Sequence, residues 1–194
     1  MNADLALSAS GMLSGEIGGP SVYPAQPSGV MIGHPWPESS GADRYRRGMY
    51  THFWRKSPHP GLMVFDSPDA LTTATSRERS NTPLQALTLL NDTGFHEFTQ
   101  GLAKRVLIER PDASNSERIE HAFRLCLARS PQQLEKDRLD RLLATQLDDF
   151  RSNPSEAFEI LTLPSKKGTD LPETAAWTMV AAVILNLDEF ITRE

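Results

Sequence analysis

Arginine, aromatic, amide and carboxylate side chains crowd one part of this 194-residue sequence, between Arg46 and Asp92. They are Arg46, Arg47, Tyr50, Trp54, Arg55, Asp66, Arg77, Arg79, Asn81, Gln85, Asn91 and Asp92. A guanidinium is a planar fork that matches carboxylate, phosphate or sulfate, and rings beside it can stack on a sugar, so recognition of an anion or a glycan is one chemistry open to this set. The other chemistry is internal. Irregular loops must still satisfy their backbone groups, and arginines there can bond carbonyls and the carboxylates of Asp66 and Asp92. Residue types alone leave both open.

Other constellations are thinner. His52, His59 and Asp66 recur every seven residues, but a proline-rich turn intervenes and no HExxH or CxxC pattern supports a metal site. Asp66 with Asp69 has the residue types of a glycosidase pair. Asp69, however, follows Pro68 and reads as a first-turn helix acid. His34 lies in a Gly-His-Pro loop, and His96 and His121 belong to separate helices, as surface or packing residues. No GxSxG, P-loop or GxGxxG sequence occurs, so hydrolase, nucleotide-hydrolysing and dinucleotide readings lack a motif. No cofactor and no metal is expected.

The elements that must position these residues follow from capping and periodicity. A short N-terminal helix carries Leu5, Ala6, Ala9 and Leu13, capped by Asn2 or Asp4 and ended by Gly18-Gly19-Pro20. Five prolines between Gly19 and Gly41 exclude regular structure, yet Tyr23, Val30, Met31, Ile32 and Trp36 are too apolar for a free linker and predict docking. Asp43 to about Lys56 reads as a helix with Tyr45, Met49 and Phe53 inward, and Leu62–Phe65 as a short buried strand. Thr82-Pro83-Leu84-Gln85 is a capping box that starts a helix whose buried side is read as Leu84, Leu87, Leu90 and Leu89. Asn91-Asp92 ends that helix or caps its successor, which buries Phe95, Phe98, Leu102 and Val106.

Ser114–Glu117 is a second capping box, before Ile119, Phe123, Cys126 and Leu127. Ser130–Gln133 precedes a long amphipathic helix with Leu134, Leu139, Leu142, Leu143, Leu147 and Phe150, and Asn153-Pro154 starts a shorter one. Ala176, Trp177, Val180, Ile184, Leu187 and Ile191 give the last helix a broad apolar face. The fold class is mainly α: a multi-helix, bundle-like domain with an irregular Pro/Gly-rich N-terminal third. One domain, 1–194, divides into a short helix and extended segment (1–42), the arginine-aromatic stretch (43–92) and amphipathic helices (93–194).

Composition bounds function. Arg44, Arg46, Arg47, Arg55 and Lys56 interleave with aromatics as in strand-binding surfaces. The net charge of −5 and the sixteen acids against eleven bases after residue 108 argue instead against nucleic acid. Cys126 has no partner cysteine and reads as a small core residue. No apolar run predicts a membrane span, and the N-terminus lacks a signal-peptide pattern.

At RRGMYTHFWRKSPHP, FDSPD, RERSNTPLQALTLLND, RIEHAFRLCLARSP and AAWTMVAAVILNLDEFITRE the chain resembles the C-terminal part of the domain of unknown function numbered fifteen-fifty-three. Large planctomycete and verrucomicrobial proteins carry that domain downstream of a planctomycete-type cytochrome c domain. The resemblance implies exported, envelope-associated relatives and, as partner, the N-terminal part of the family domain or a cytochrome c-containing protein. The sequence has no CxxCH motif, and Thr73 and Ser76 stand where the family pattern has cysteine and arginine. Two functional classes follow: a non-catalytic helical packing module, prone to self-association through apolar surface at 19–41 and on the last helix, or a fragment acting on glycans through the arginine-aromatic set.

Overall fold

A helix with no polar face has to be central, and Leu171–Leu185 is such a helix. The computed structural model describes residues 2–27, 35–68, 73, 75, 80–165 and 168–192. Its α-helices are α1 (Asn2–Ser10), α2 (Pro60–Val64), α3 (Pro83–Asn91), α4 (Thr93–Glu109), α5 (Asn115–Leu127), α6 (Gln133–Ser152), α7 (Pro154–Ile160), α8 (Leu171–Leu185) and α9 (Asp188–Thr192). The mainly α class holds. α8 packs on α4, α6 and α7 most extensively, and also meets α3, α5 and α9. Ala175, Ala176, Trp177, Val180 and Ile184 are fully or almost fully buried on it. Its inward hydroxyls stay satisfied along the helix, Thr178 Oγ1 donating to the Thr174 carbonyl at 2.8 Å.

Local signals translate directly. Thr82 Oγ1 accepts from Gln85 N at 3.3 Å while Gln85 Oε1 accepts from Thr82 N at 3.1 Å, and Ser114 with Glu117 repeats the device on α5. Asp92 is the last cap of α3 and the first of α4: its N–H reaches the Thr88 carbonyl, and its Oδ1 accepts from Gly94 N at 2.9 Å and Phe95 N at 3.2 Å. Phe95, Phe98, Leu102 and Val106 are buried, as are Ile119, Phe123 and Cys126.

Several readings change. The helix expected over 43–56 is absent. Two 3-10 turns, Gly41–Tyr45 and Gly48–Tyr50, flank isolated parallel bridges from Arg46 to Ser14 and from Thr51 to Val22. The extended N-terminal segment captures this backbone, His52 N donating to the Val22 carbonyl at 2.8 Å, and Gly48 breaks the helix while its N–H binds Asp4 Oδ1 at 2.6 Å. Asp4 therefore does not cap α1, which ends at Gly11 with φ of +72° rather than at Gly18.

The expected strand over Leu62–Phe65 is α2 with one following residue. His59 Nδ1 accepts from Gly61 N and Pro60 opens the helix, whereas among the described residues no strand lies alongside to pair with. On α3, Leu84, Leu87 and Leu90 face outward at 60, 56 and 50% exposure, while Gln85 and Leu89 are buried. Likewise Leu134 on α6 is mainly exposed. The last helix is two, α8 and α9, parted at Asn186-Leu187, and its apolar face is covered within the chain.

The described parts of the extended segment are docked: Val22 and Ala25 are buried, and Trp36 Nε1 donates to the Pro24 carbonyl at 2.8 Å. Val30, Met31, Ile32, His34 and Asp69 lie outside the described residues.

Candidate functional site

Arg46 is the most enclosed of the described candidate cations. Only 4% of it is exposed, its guanidinium donates to the carbonyls of Glu16, Gly18 and Pro20, and it lies 3.9 Å from the centre of the Tyr50 ring. Tyr50 completes the clamp by accepting from Gly18 N at 2.9 Å. The bridge to Ser14 places Arg46 here, because pairing its backbone with the first loop aims its side chain along that loop.

Asp66 and Gln85 form a second knot. Asp66 adopts a left-handed φ of +55°, a conformation Asp tolerates better than most residues, and ends the α2 turn. Its carboxylate accepts from Ser80 N and Oγ at 2.8 Å, and from Gln85 Nε2 at 3.3 Å. Gln85, 1% exposed, also donates to the Val64 carbonyl at 2.9 Å. One amide side chain thus joins α2, the segment before α3 and the α3 cap.

Between these knots lies a cavity of about 70 Å³. Ala3, Leu7, Leu62, Phe65, Phe95 and Phe98 make its walls mainly apolar, with His59, Asp92, Arg44 and Glu97 as polar members. Burial raises the Asp92 carboxyl above its ordinary range, against the two amide bonds that favour the anion. Burial lowers His59, opposed by its bond to the Ala25 carbonyl and by the charges of Asp92 and Glu38. Arg44 is raised by its hydrogen bonds to Glu97, at 3.0 and 2.7 Å, and to Glu38 at 2.7 Å. Tyr45 is raised by burial and by Glu97, to which its hydroxyl donates at 3.0 Å.

The remaining candidates scatter. Arg47 and Arg55 are exposed. Trp54 is half-buried with its ring against His52, and His52 stacks on Tyr23 at 4.9 Å. Asn81 donates to Asp188 at the start of α9, and Asn91 donates back to the Leu87 carbonyl at 2.8 Å. Arg77 and Arg79 lie outside the described residues. Among the described residues no three His, Cys, Asp or Glu converge as a metal site. Both ring nitrogens of His59 already hold protein partners. His96 and His121 each bridge elements, to the Ile160 carbonyl at 2.7 Å and to Glu109 at 2.6 Å.

A family model described as PSD1, protein of unknown function (DUF1553), matches residues 1–143. The chain belongs to that family. No curated protein and no solved structure matches it. The PSD1 match takes in the Arg46 clamp, the Asp66–Gln85 knot and the cavity, and stops inside α6. The phrase from Ala175 onward lies beyond the match, although α8 fills the core against which the matched helices pack.

Sequence reasoning missed Arg44 with Glu97, and the cavity role of His59. Their partners are 53 and 34 residues away, and no local spacing announces such pairs. The proline-rich docking segment was the one hint, since it had to meet something.

Proposed function

We propose that this member of the DUF1553 family is a non-catalytic packing module that docks on another protein through the outward side of α3. The observation that carries the reading is the row Leu84, Leu87 and Leu90, each at least half exposed, on a helix whose stretch Thr82–Asn91 has no charged residue. A capped, charge-free helix with leucines three apart resembles the anchor side of a helix-in-groove contact. Met63, 47% exposed on α2, stands on an element packed against α3. Three half-covered leucines fall well short of the ~800 Å² that each side of a stable interface contributes, so a second copy meeting only this row would associate weakly. The partner therefore extends beyond α3. By the family resemblance, it is another part of the family domain or a cytochrome c-containing protein.

The internal bonding of Asp66, Gln85 and Asp92 Oδ1, and of the two terminal nitrogens of Arg46, supports the same reading over the glycan alternative, because those atoms are occupied without a ligand; the buried Nε of Arg46 lacks a partner.

The test titrates this chain with the remaining part of a full-length DUF1553 protein and, separately, with its cytochrome c domain. A complex seen with wild type and weakened at least tenfold by Leu84, Leu87 and Leu90→Ser, with the thermal melt unchanged, is the expected result. Binding of neither partner, or binding indifferent to the triple change, overturns the reading. A melt raised by neutral or sulfated oligosaccharides would favour the glycan class instead.

A further inference from the structure

We propose that the cavity between the Arg46 clamp and the Asp66–Gln85 knot binds a short primary alkylammonium, its head held by the Asp92 carboxylate and its chain by the apolar walls. The site does not depend on the docking row of α3. Of the Asp92 carboxylate, Oδ1 accepts from Gly94 N and Phe95 N, whereas Oδ2 has no partner among the described residues. Asp92 is only 8% exposed, and the space it borders is the cavity. Unlike the orphaned Arg46 Nε, Oδ2 is not sealed in. A carboxylate oxygen withdrawn from bulk water without a hydrogen bond is unfavourable, so a donor completes it.

Charge selects which donor. Arg44 and Arg46 also border the cavity, but Arg44 is bonded to both Glu97 and Glu38, and Arg46 is engaged by backbone carbonyls. Counted together, two guanidinia meet two glutamates. Asp92 is then the unmatched charge, and Asp4, whose Oδ1 accepts from the cavity residue Gly48, adds to the negative side. His59 does not compete for the head, since both its nitrogens hold protein partners. Burial raises the Asp92 carboxyl despite its two amide bonds, as expected of an anion short of counter-charge. An ammonium supplies charge and donor at once, where an alcohol supplies only the donor. Thr51, whose hydroxyl has no partner among the described residues, borders the same space and offers a second acceptor.

Size and walls select the rest of the ligand. At about 70 Å³ the cavity has roughly half the volume of the ~150 Å³ apolar cavity that holds benzene, so about three or four heavy atoms fit and an aromatic ring does not. Leu7, Phe65, Phe95 and Phe98, each at most 8% exposed, surround that chain with carbon. n-Propylamine has this shape. A carboxylate of the same size would set like charge against Asp92.

Titration of the whole chain with n-propylamine at constant pH and ionic strength, followed by nitrogen-15 NMR, tests the site. n-Propanol, propionate and tetramethylammonium are the comparison probes, because each lacks either the charge or the N–H. The expected result is a saturable shift of the Gly94 and Phe95 amides with a Kd on the order of 1 mM, at least tenfold weaker with propanol and absent with the other two. Asp92→Asn keeps the capping oxygen and puts an amide donor in place of Oδ2, so it should weaken n-propylamine at least tenfold while its melt is kept. Ala3→Leu, which fills the cavity from α1, should abolish binding of every probe. No saturable shift in wild type, equal binding of n-propylamine and tetramethylammonium, or an affinity unchanged in Asp92→Asn overturns the proposal. Should either variant fail to fold, the wild-type comparison of n-propylamine with propanol and tetramethylammonium decides it alone.

Discussion

Asp92 performs two jobs of opposite electrostatic sign. As a cap it offers an oxygen to two amide protons at the positive end of α4, yet its burial disfavours the charge that makes it a strong acceptor. Asparagine keeps the acceptor and removes the charge. Asp92→Asn should therefore leave stability at pH 7 unchanged or raise it, while Asp92→Ala should cost about 0.5–2 kcal/mol. Because the folded value is raised, the burden of the charge is present at neutral pH and lifts as pH falls through that value. Urea midpoints at pH 4 and pH 7 check this: the gap between Asn variant and wild type should narrow in acid. Arg46 belongs to the same scale. Arg46→Ala leaves the carbonyls of Glu16, Gly18 and Pro20 without their shared donor and should cost about 1–3 kcal/mol.

Elements announce themselves in the sequence when their determinants are local. Thr82 with Gln85 and Ser114 with Glu117 are three residues apart, and both boxes form. The stretch 43–56 shows helical spacing of aromatics, but its backbone partners are Ser14 and Val22, so a contact made across more than twenty residues overrides the local pattern. The α3 face was misread for a related reason. Periodicity reports where leucines lie around a helix, not which side meets the core, and here the core side holds Gln85, whose amide is needed by Val64 and Asp66. A stability series separates the sides. Leu87→Ser should change unfolding free energy by no more than about 0.5 kcal/mol, whereas Leu89→Ala, at a position 4% exposed, should cost about 2–5 kcal/mol. A large loss for Leu87→Ser would mean that α3 packs the other way round. The candidate site was half legible: Arg46, Asp66, Gln85 and Asp92 were singled out by type, while Arg44, Glu97 and the role of His59 depend on long-range closure.

At the scale of the molecule, the family match and the core have different limits. The match ends at residue 143, whereas Trp177, Val180 and Ile184 supply the centre on which α4 and α6 pack. A chain cut after Leu143 would leave the inner faces of α4 and α5 in water, so it should show no cooperative thermal transition and should bind a hydrophobic dye strongly. The chain through residue 192 should melt in one step. A sharp transition in the shorter chain would refute the central role of α8.

The sharing of Asp92 by two helices also has a mechanical meaning. With one residue serving as hinge pin for both, the joint has no slack, and α3 is a short crank fixed to the head of α4. The pin itself, with Gly94 and Phe95 after it, lines the cavity, so the leucine row and the cavity wall share one joint. An extra glycine between Asn91 and Asp92 would act as a slipped clutch, letting the leucine row turn while the wall behind it stays still.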